Sequence, residues 1–206
     1  MRQEALTNKG QEIFSWLENF KDYYLAGGTA LALQIGHRIS VDFDLFYSEN
    51  IPKDLLRKIK TIFKQSPVAV SVNNPDELSV FIDGTKISFI KYPFPVLLPF
   101  VEINSVKLLS VKELAATKSY TIGRRGSFKD YVDLFFILQE GHSSLEEILD
   151  LAEKKYGEEF NGRLFLEQLT YTQDVEDAEI ILLKNKSINK KTVFDFLYQE
   201  VGKIKI

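Results

Sequence analysis

The stretch from Tyr23 to Tyr47, YYLAGGTALALQIGHRISVDFDLFY, restricts what this chain can fold into more than any other. Tyr23, Tyr24, Leu25 and Ala26 are apolar or aromatic and suit a short buried strand. Gly27 and Gly28 interrupt it. The spacing then predicts a short helix over Thr29 to Ile35, stopped at Gly36, because glycine readily takes the left-handed conformation that closes helices. A second strand follows with two-residue alternation, which puts Val41, Phe43 and Leu45 on one side and Asp42 and Asp44 on the other.

Two carboxylates on one strand face stand about 6.6–6.8 Å apart along the backbone and repel each other. Water offsets the repulsion on an exposed face. In a cleft a divalent cation does so, and Mg²⁺ favours one or two carboxylates together with substrate phosphate oxygens. The glycines upstream allow close backbone approach to an anion, and the first turn of a helix presents amides without intrahelical partners. Gly27, Gly28 and Thr29 are therefore candidate phosphate-binding residues, and Asp42 and Asp44 candidate metal ligands. A phosphate cradle followed closely by a two-carboxylate site points to phosphoryl or nucleotidyl transfer. The competing reading is a plain turn followed by a solvated strand face.

Around this stretch the pattern is mixed and then helical. Residues 4–20 and 53–64 read as amphipathic helices, the latter after Pro52. Strand-like runs follow at 68–72, 78–82 and 86–92, the last two joined by Asp83-Gly84, a strong hairpin signal. Residues 101–106 read as one short edge strand. From Ser110 onward the periodicity predicts helices near 110–121, 128–140, 145–155, 161–171, 175–184 and 191–201. The expected class is α+β: a mixed sheet with helices over 1–107, then an all-helical region over 108–206 packed on that core, with the cleft where the two meet.

The helical half carries its own constellation. On a helix over 110–121, Lys118 shares a stripe with Val111, Leu114 and Ala115. It either snorkels to water or reaches a cleft and meets a triphosphate. Ser127 and Asp130 have the spacing of a helix cap, which is a sufficient structural reason for Asp130. Asp133 sits among Val132, Leu134, Phe135, Phe136 and Ile137, where a carboxylate needs a cation; Lys118 and Arg125 are the candidates. Arg124 and Arg125, flanked by Gly123 and Gly126, suit bidentate phosphate binding or simply a solvated loop. Arg38 is a further candidate for phosphate, or for bracing the two aspartates.

Composition removes other classes. There is no cysteine, which excludes disulfides, thiolate metal sites and catalytic thiols, and two histidines argue against a histidine-built zinc site. A net charge of −3 is not the footprint of a dedicated nucleic-acid binder, so RNA contact would need a local basic patch. No run approaches the ~20 apolar residues of a membrane span. The first residues, MRQEALTNKGQEIF, lack the apolar core of a secretory signal, and a cytoplasmic location is the default expectation.

The string GGTALALQIGHRISVDFDLF resembles the signature of the AbiEii/AbiGii toxin family, a branch of the polymerase-β-like nucleotidyltransferases. Downstream, LAATKSYTIGRRGSFKDYVDLFFIL resembles that family's second motif: a Lys, then Arg-Gly, then Lys-Asp-x-x-Asp-Leu. The two stretches and the segment between them span about two-thirds of the chain. The resemblance implies a nucleotidyltransferase fold and an enzyme that moves a nucleoside monophosphate from an NTP to an acceptor hydroxyl with Mg²⁺. In several members the acceptor is transfer RNA, and the protein is often the toxin of a toxin–antitoxin pair, so tRNA and a cognate antitoxin are the implied partners. It also implies catalytic roles for Asp42, Asp44, Lys118 and Asp133. Such enzymes commonly carry a third carboxylate on a later strand. Here the matching position is Ser88, with Glu102 as a conceivable substitute. The alternative is therefore a catalytically inactive, nucleotide-binding or partner-binding protein of the same fold.

Overall fold

The computed structural model describes residues 2–173, 175–183 and 188–204. The chain divides into two compact units, Met1–Pro95 with Pro99–Leu109, and Val96–Leu98 with Ser110–Ile206.

The first unit is organised by a mixed sheet whose strands are β1 (Tyr24–Ala26), β2 (Phe43–Tyr47), β3 (Val68–Asn73), β4 (Glu77–Ile82), β5 (Thr85–Lys91), β6 (Val101–Ile103) and β7 (Val106–Leu108). Their order is β3-β4-β5-β2-β1-β7-β6. The pairs β2–β5 and β1–β7 are parallel, and the remaining neighbours are antiparallel. Two tight turns make the hairpins β4–β5 and β6–β7. Asp83 and Gly84 have φ of 47° and 83°, and Asn104 and Ser105 have φ of 49° and 63°. Positive φ at both central residues matches the twist of the flanking strands. The second turn splits the segment expected to be one edge strand over 101–106 into the hairpin β6–β7.

Paired residues on neighbouring strands share a sheet face, and register therefore fixes the role of each face. Leu25, Phe43, Leu45, Ile87 and Phe89 lie on one face and are all buried. The rings of Phe20 and Tyr23 close on Phe89 at 5.0 and 5.1 Å. The other face carries Ala26, Asp44 and Ser88 in one row.

Helices α1 (Asn8–Trp16), α2 (Gly27–Ile35) and α3 (Leu55–Ile62) complete this unit. The helix expected over 4–20 is shorter. Ala5 and Leu6 are held by the Ser40 segment, through Ser40 N–H to the Ala5 carbonyl at 2.9 Å and a Leu6–Ser40 bridge. Thr7 then starts α1 by accepting the Gly10 N–H at 3.0 Å.

The second unit contains α4 (Val111–Ile122), α5 (Phe128–Gln139), α6 (Leu145–Tyr156), α7 (Gly162–Thr170) and α8 (Lys190–Val201). Polar caps at Ser110, Ser144, Asn161 and Asn189 start α4, α6, α7 and α8, and Ser144 with Glu147 forms a full capping box. The helix expected over 175–184 is absent from residues 175–183, and 184 lies outside the described residues. Glu176 instead receives the Phe128 N–H at 3.1 Å and gives its own N–H to Gly126 at 2.7 Å. Glu176 and Glu179, three apart, would also repel along a helix. Among the described residues no helix is long and apolar enough to cross a membrane.

A buried ion pair explains why Val96–Leu98 clusters with the helices. Lys155 Nζ on α6 lies 2.7 Å from Glu113 Oε2 on α4, with both side chains fully buried. Glu113 Oε1 accepts the backbone N–H groups of Leu97 and of Leu98, the latter at 2.8 Å. Burial lowers the Lys155 pKa, against the opposing pull of Glu113.

Candidate active site

Asp44 and the start of α2 are brought together by pairing. Ala26 and Asp44 are Cα partners across β1 and β2, which sets the Asp44 side chain beside Gly27. Gly27 has φ +65°, and a Cβ built there would meet Asp44 Oδ2 well inside 3.0 Å. Only glycine fits this conformation and this contact. Asp44 is half-buried and Asp42 exposed. No side chain caps α2 at Ala26, and the amides of its first turn have no partner within the helix.

Thr29 is buried, and its hydroxyl donates to the Asp42 carbonyl and lies 2.7 Å from Ser40 Oγ. The side chain thus ties the first turn of α2 to the segment that carries Asp42. The strand begins at Phe43, two residues later than the alternation suggests, and Val41 is exposed rather than on the buried side. Residues 41 and 42 are the link between the Leu6–Ser40 bridge and β2. Arg38 is buried, with Nη1 3.2 Å from the Ile39 carbonyl, and His37 is buried beside it.

Ser88 is the Cα partner of Asp44 in the parallel β2–β5 register. Glu102 does not reach this row. It sits on β6, at the sheet edge and three strands from β2, about 14 Å at ordinary strand spacing. Sequence reasoning missed two residues on the other side of Ser88: Ser79, its partner on β4, and Glu77. The signal was available, because Ser79 and Ser88 are equidistant from the Asp83-Gly84 turn and must face each other once that turn is placed.

In the helical unit Lys118 does not snorkel. Its side chain is 7% exposed, and Nζ lies 2.6 Å from both Asp130 Oδ1 and Asp133 Oδ2. Arg125 adds its Nε at 2.9 Å to Asp130 Oδ2, while its side chain remains 65% exposed. Asp130 is not a capping residue. Ser127 makes no side-chain cap bond, and the Asp130 carboxylate goes to the two cations. Burial works to raise the Asp130 pKa, but Lys118 and Arg125 outweigh it and hold the carboxyl below its ordinary value. Arg124 lies over the Tyr120 ring at 3.5 Å and donates to the Glu159 carbonyl at 3.1 Å.

Among the described residues no group of three or more His, Asp or Glu side chains could by itself enclose a metal ion. The Asp42–Asp44 pair is an oxygen donor set that suits Mg²⁺ only when substrate oxygens complete it.

Several known proteins are similar to this chain. A protein of Aquifex aeolicus strain VF5, aq_aa25, is 35% identical over 183 residues, covering 85% of this chain and 88% of the relative. Among solved structures, the nucleotidyltransferase toxin MenT4 (Rv2826c) of Mycobacterium tuberculosis superposes with a TM-score of 0.65 at 14% identity, over 95% of this chain and 82% of that one. JHP933 of Helicobacter pylori superposes at 0.58 and 14% identity, over 96% and 92%. At that identity the superpositions establish a shared fold. The profile of the nucleotidyl transferase AbiEii toxin, type IV toxin–antitoxin system, matches residues 11–195, and the chain accordingly belongs to the AbiEii family of nucleotidyltransferase toxins.

Proposed function

We propose that this nucleotidyltransferase moves a nucleoside monophosphate from an NTP to the hydroxyl of an RNA acceptor, with transfer RNA as the favoured class, and that it acts in the cytoplasm against a cognate antitoxin. The observation that carries the reading is the Asp44 carboxylate lying against Gly27 at the start of α2. The amides of Gly28 and Thr29 are assigned to triphosphate oxygens. Asp42 and Asp44 are assigned to Mg²⁺, which when bound neutralises charge on the phosphates. Lys118, positioned by Asp133, and Arg125 are the cations assigned to charge developing on the transferred phosphoryl group, with Arg38 supporting the aspartates. The acceptor oxygen attacks the α-phosphorus and pyrophosphate leaves.

A second reading is favoured by Ser88, because a serine hydroxyl alone is a poor base in the place beside Asp44. On that reading the protein binds nucleotide without turnover. Incubation with each labelled NTP, Mg²⁺ and total RNA separates the two. Transfer of label to RNA, abolished in Asp44→Asn, is the expected result. A folded protein that binds NTP with Mg²⁺ but labels no RNA supports the second reading instead.

A further inference from the structure

The register that sets Ser88 beside Asp44 sets a second hydroxyl beside Ser88. Ser79 Oγ on β4 lies 2.9 Å from Ser88 Oγ. Two residues back on the same face, Glu77 Oε1 is 2.6 Å from Ser79 Oγ. Ser79 is 0% and Ser88 2% exposed, whereas Glu77 is half-buried and reaches water. The row Asp44, Ser88, Ser79 thus crosses three adjacent strands and ends on a carboxylate.

Hydrogen-bond counting gives this row a direction. A carboxylate accepts, and a serine hydroxyl has one proton to give. Ser79 gives its proton to Glu77. It then has none for Ser88, and Ser88 must give its own to Ser79. What Ser88 Oγ retains for a group beside Asp44 is acceptor capacity alone. Two serines that merely filled space would not need a carboxylate at 2.6 Å to polarise them.

We infer that Ser88, Ser79 and Glu77 form a proton relay that replaces the third carboxylate, an inference that rests on the nucleotidyl-transfer reading. As the acceptor oxygen bonds to the α-phosphorus, the bond from that phosphorus to the β-phosphate oxygen breaks, and pyrophosphate leaves with the electron pair. The acceptor proton passes to Ser88 Oγ, the Ser88 proton to Ser79 Oγ, and the Ser79 proton to Glu77 Oε1. Both serines end neutral, and one proton has moved from acceptor to carboxylate. Ser88 is the catalytic member because it touches the reacting hydroxyl. Ser79 and Glu77 are positioning residues that act through it.

The test measures kcat and KM for label transfer in Ser88→Ala, Ser79→Ala, Glu77→Gln and the Ser79→Ala/Glu77→Gln double variant, each checked for folding by circular dichroism. Each single variant is expected to lose about 10²-fold or more in kcat, the ordinary yield of general-base catalysis, with the KM for NTP unchanged. The double variant is expected to fall no further, because the chain is already cut. Ser88→Asp, which puts a carboxylate beside Asp44, is expected to restore the rate in the Glu77→Gln background. Wild-type kcat in Glu77→Gln, losses that multiply, or failure of the rescue overturns the relay and leaves the transferase reading standing. Absence of transfer by the folded wild-type protein overturns both.

Discussion

Asp44 Oδ2 lies so close to the Gly27 backbone that residue 27 cannot carry a Cβ without moving it. Gly27→Ala therefore acts twice. An alanine held at φ +65° costs about 1–3 kcal/mol of stability. The displaced carboxylate also costs about 10²-fold in transfer, the scale on which ångström misplacements act. Gly36→Ala is the matched control. It has the same φ, but the atoms nearest its Cβ would be Arg2 side-chain carbons, at 3.0–3.4 Å. Thermal unfolding beside single-turnover labelling is expected to show both variants destabilised and only Gly27→Ala slowed in transfer.

Thr29 offers a gentler way to loosen the same site. Thr29→Val keeps the volume and removes the hydroxyl that holds the Asp42 carbonyl and meets Ser40. The partly buried carbonyl loses a donor, at a cost of about 0.5–1.5 kcal/mol. Because Asp42 is held by that bond, Mg²⁺-dependent NTP binding is expected to weaken as well, and Thr29→Ser to retain both properties. Urea denaturation with calorimetric titration measures the two effects. Unchanged binding in Thr29→Val would separate Asp42 from the site.

Lys118 is fixed by two carboxylates at 2.6 Å inside the helical unit. Removing one partner of a buried ion pair costs about 3–5 kcal/mol, because the remaining charge stays out of water. Lys118→Met is expected to lose that much in urea denaturation. Arg125→Ala is expected to lose far less, because the Arg125 side chain is 65% exposed and solvent screens its pull on Asp130.

Local chemistry accounts for the parts of this protein that can be read along the chain. Asp83-Gly84 announces its hairpin because only certain residues tolerate two positive φ values in succession. Gly36 closes α2 in the left-handed conformation for a similar reason. What could not be read depends on partners distant in sequence. Glu113 and Lys155 stand 42 positions apart, and nothing local marks either as buried. Asp130 looks like a cap because Ser127 precedes it by three. The carboxylate instead follows the stronger attraction of two cations contributed by α4 and the loop after it. The segment after 174 has enough apolar residues for a helix, but its backbone pairs with the loop before α5. Glu77 carries no local mark either, because its link to Ser88 runs through Ser79, which faces Ser88 only across the Asp83-Gly84 hairpin.

The same cluster gives the protein a defined acid response. Burial works to raise the pKa of Asp130, but Lys118 and Arg125 outweigh it and hold the carboxyl below its ordinary 3.8. The folded state therefore binds the Asp130 proton less readily than the unfolded state does. The contribution to stability is fully present above 3.8 and is lost as pH falls through the folded-state value. Asp130→Asn removes the titrating group while keeping the shape. Its stability deficit relative to wild type is expected to be constant near neutrality and to shrink below about pH 4, as the wild-type carboxyl takes up its proton. Urea denaturation of both proteins at a series of pH values from neutral to acid measures the deficit. A gap that stayed the same at every pH would mean that the Asp130 charge contributes nothing to holding α4 and α5 together.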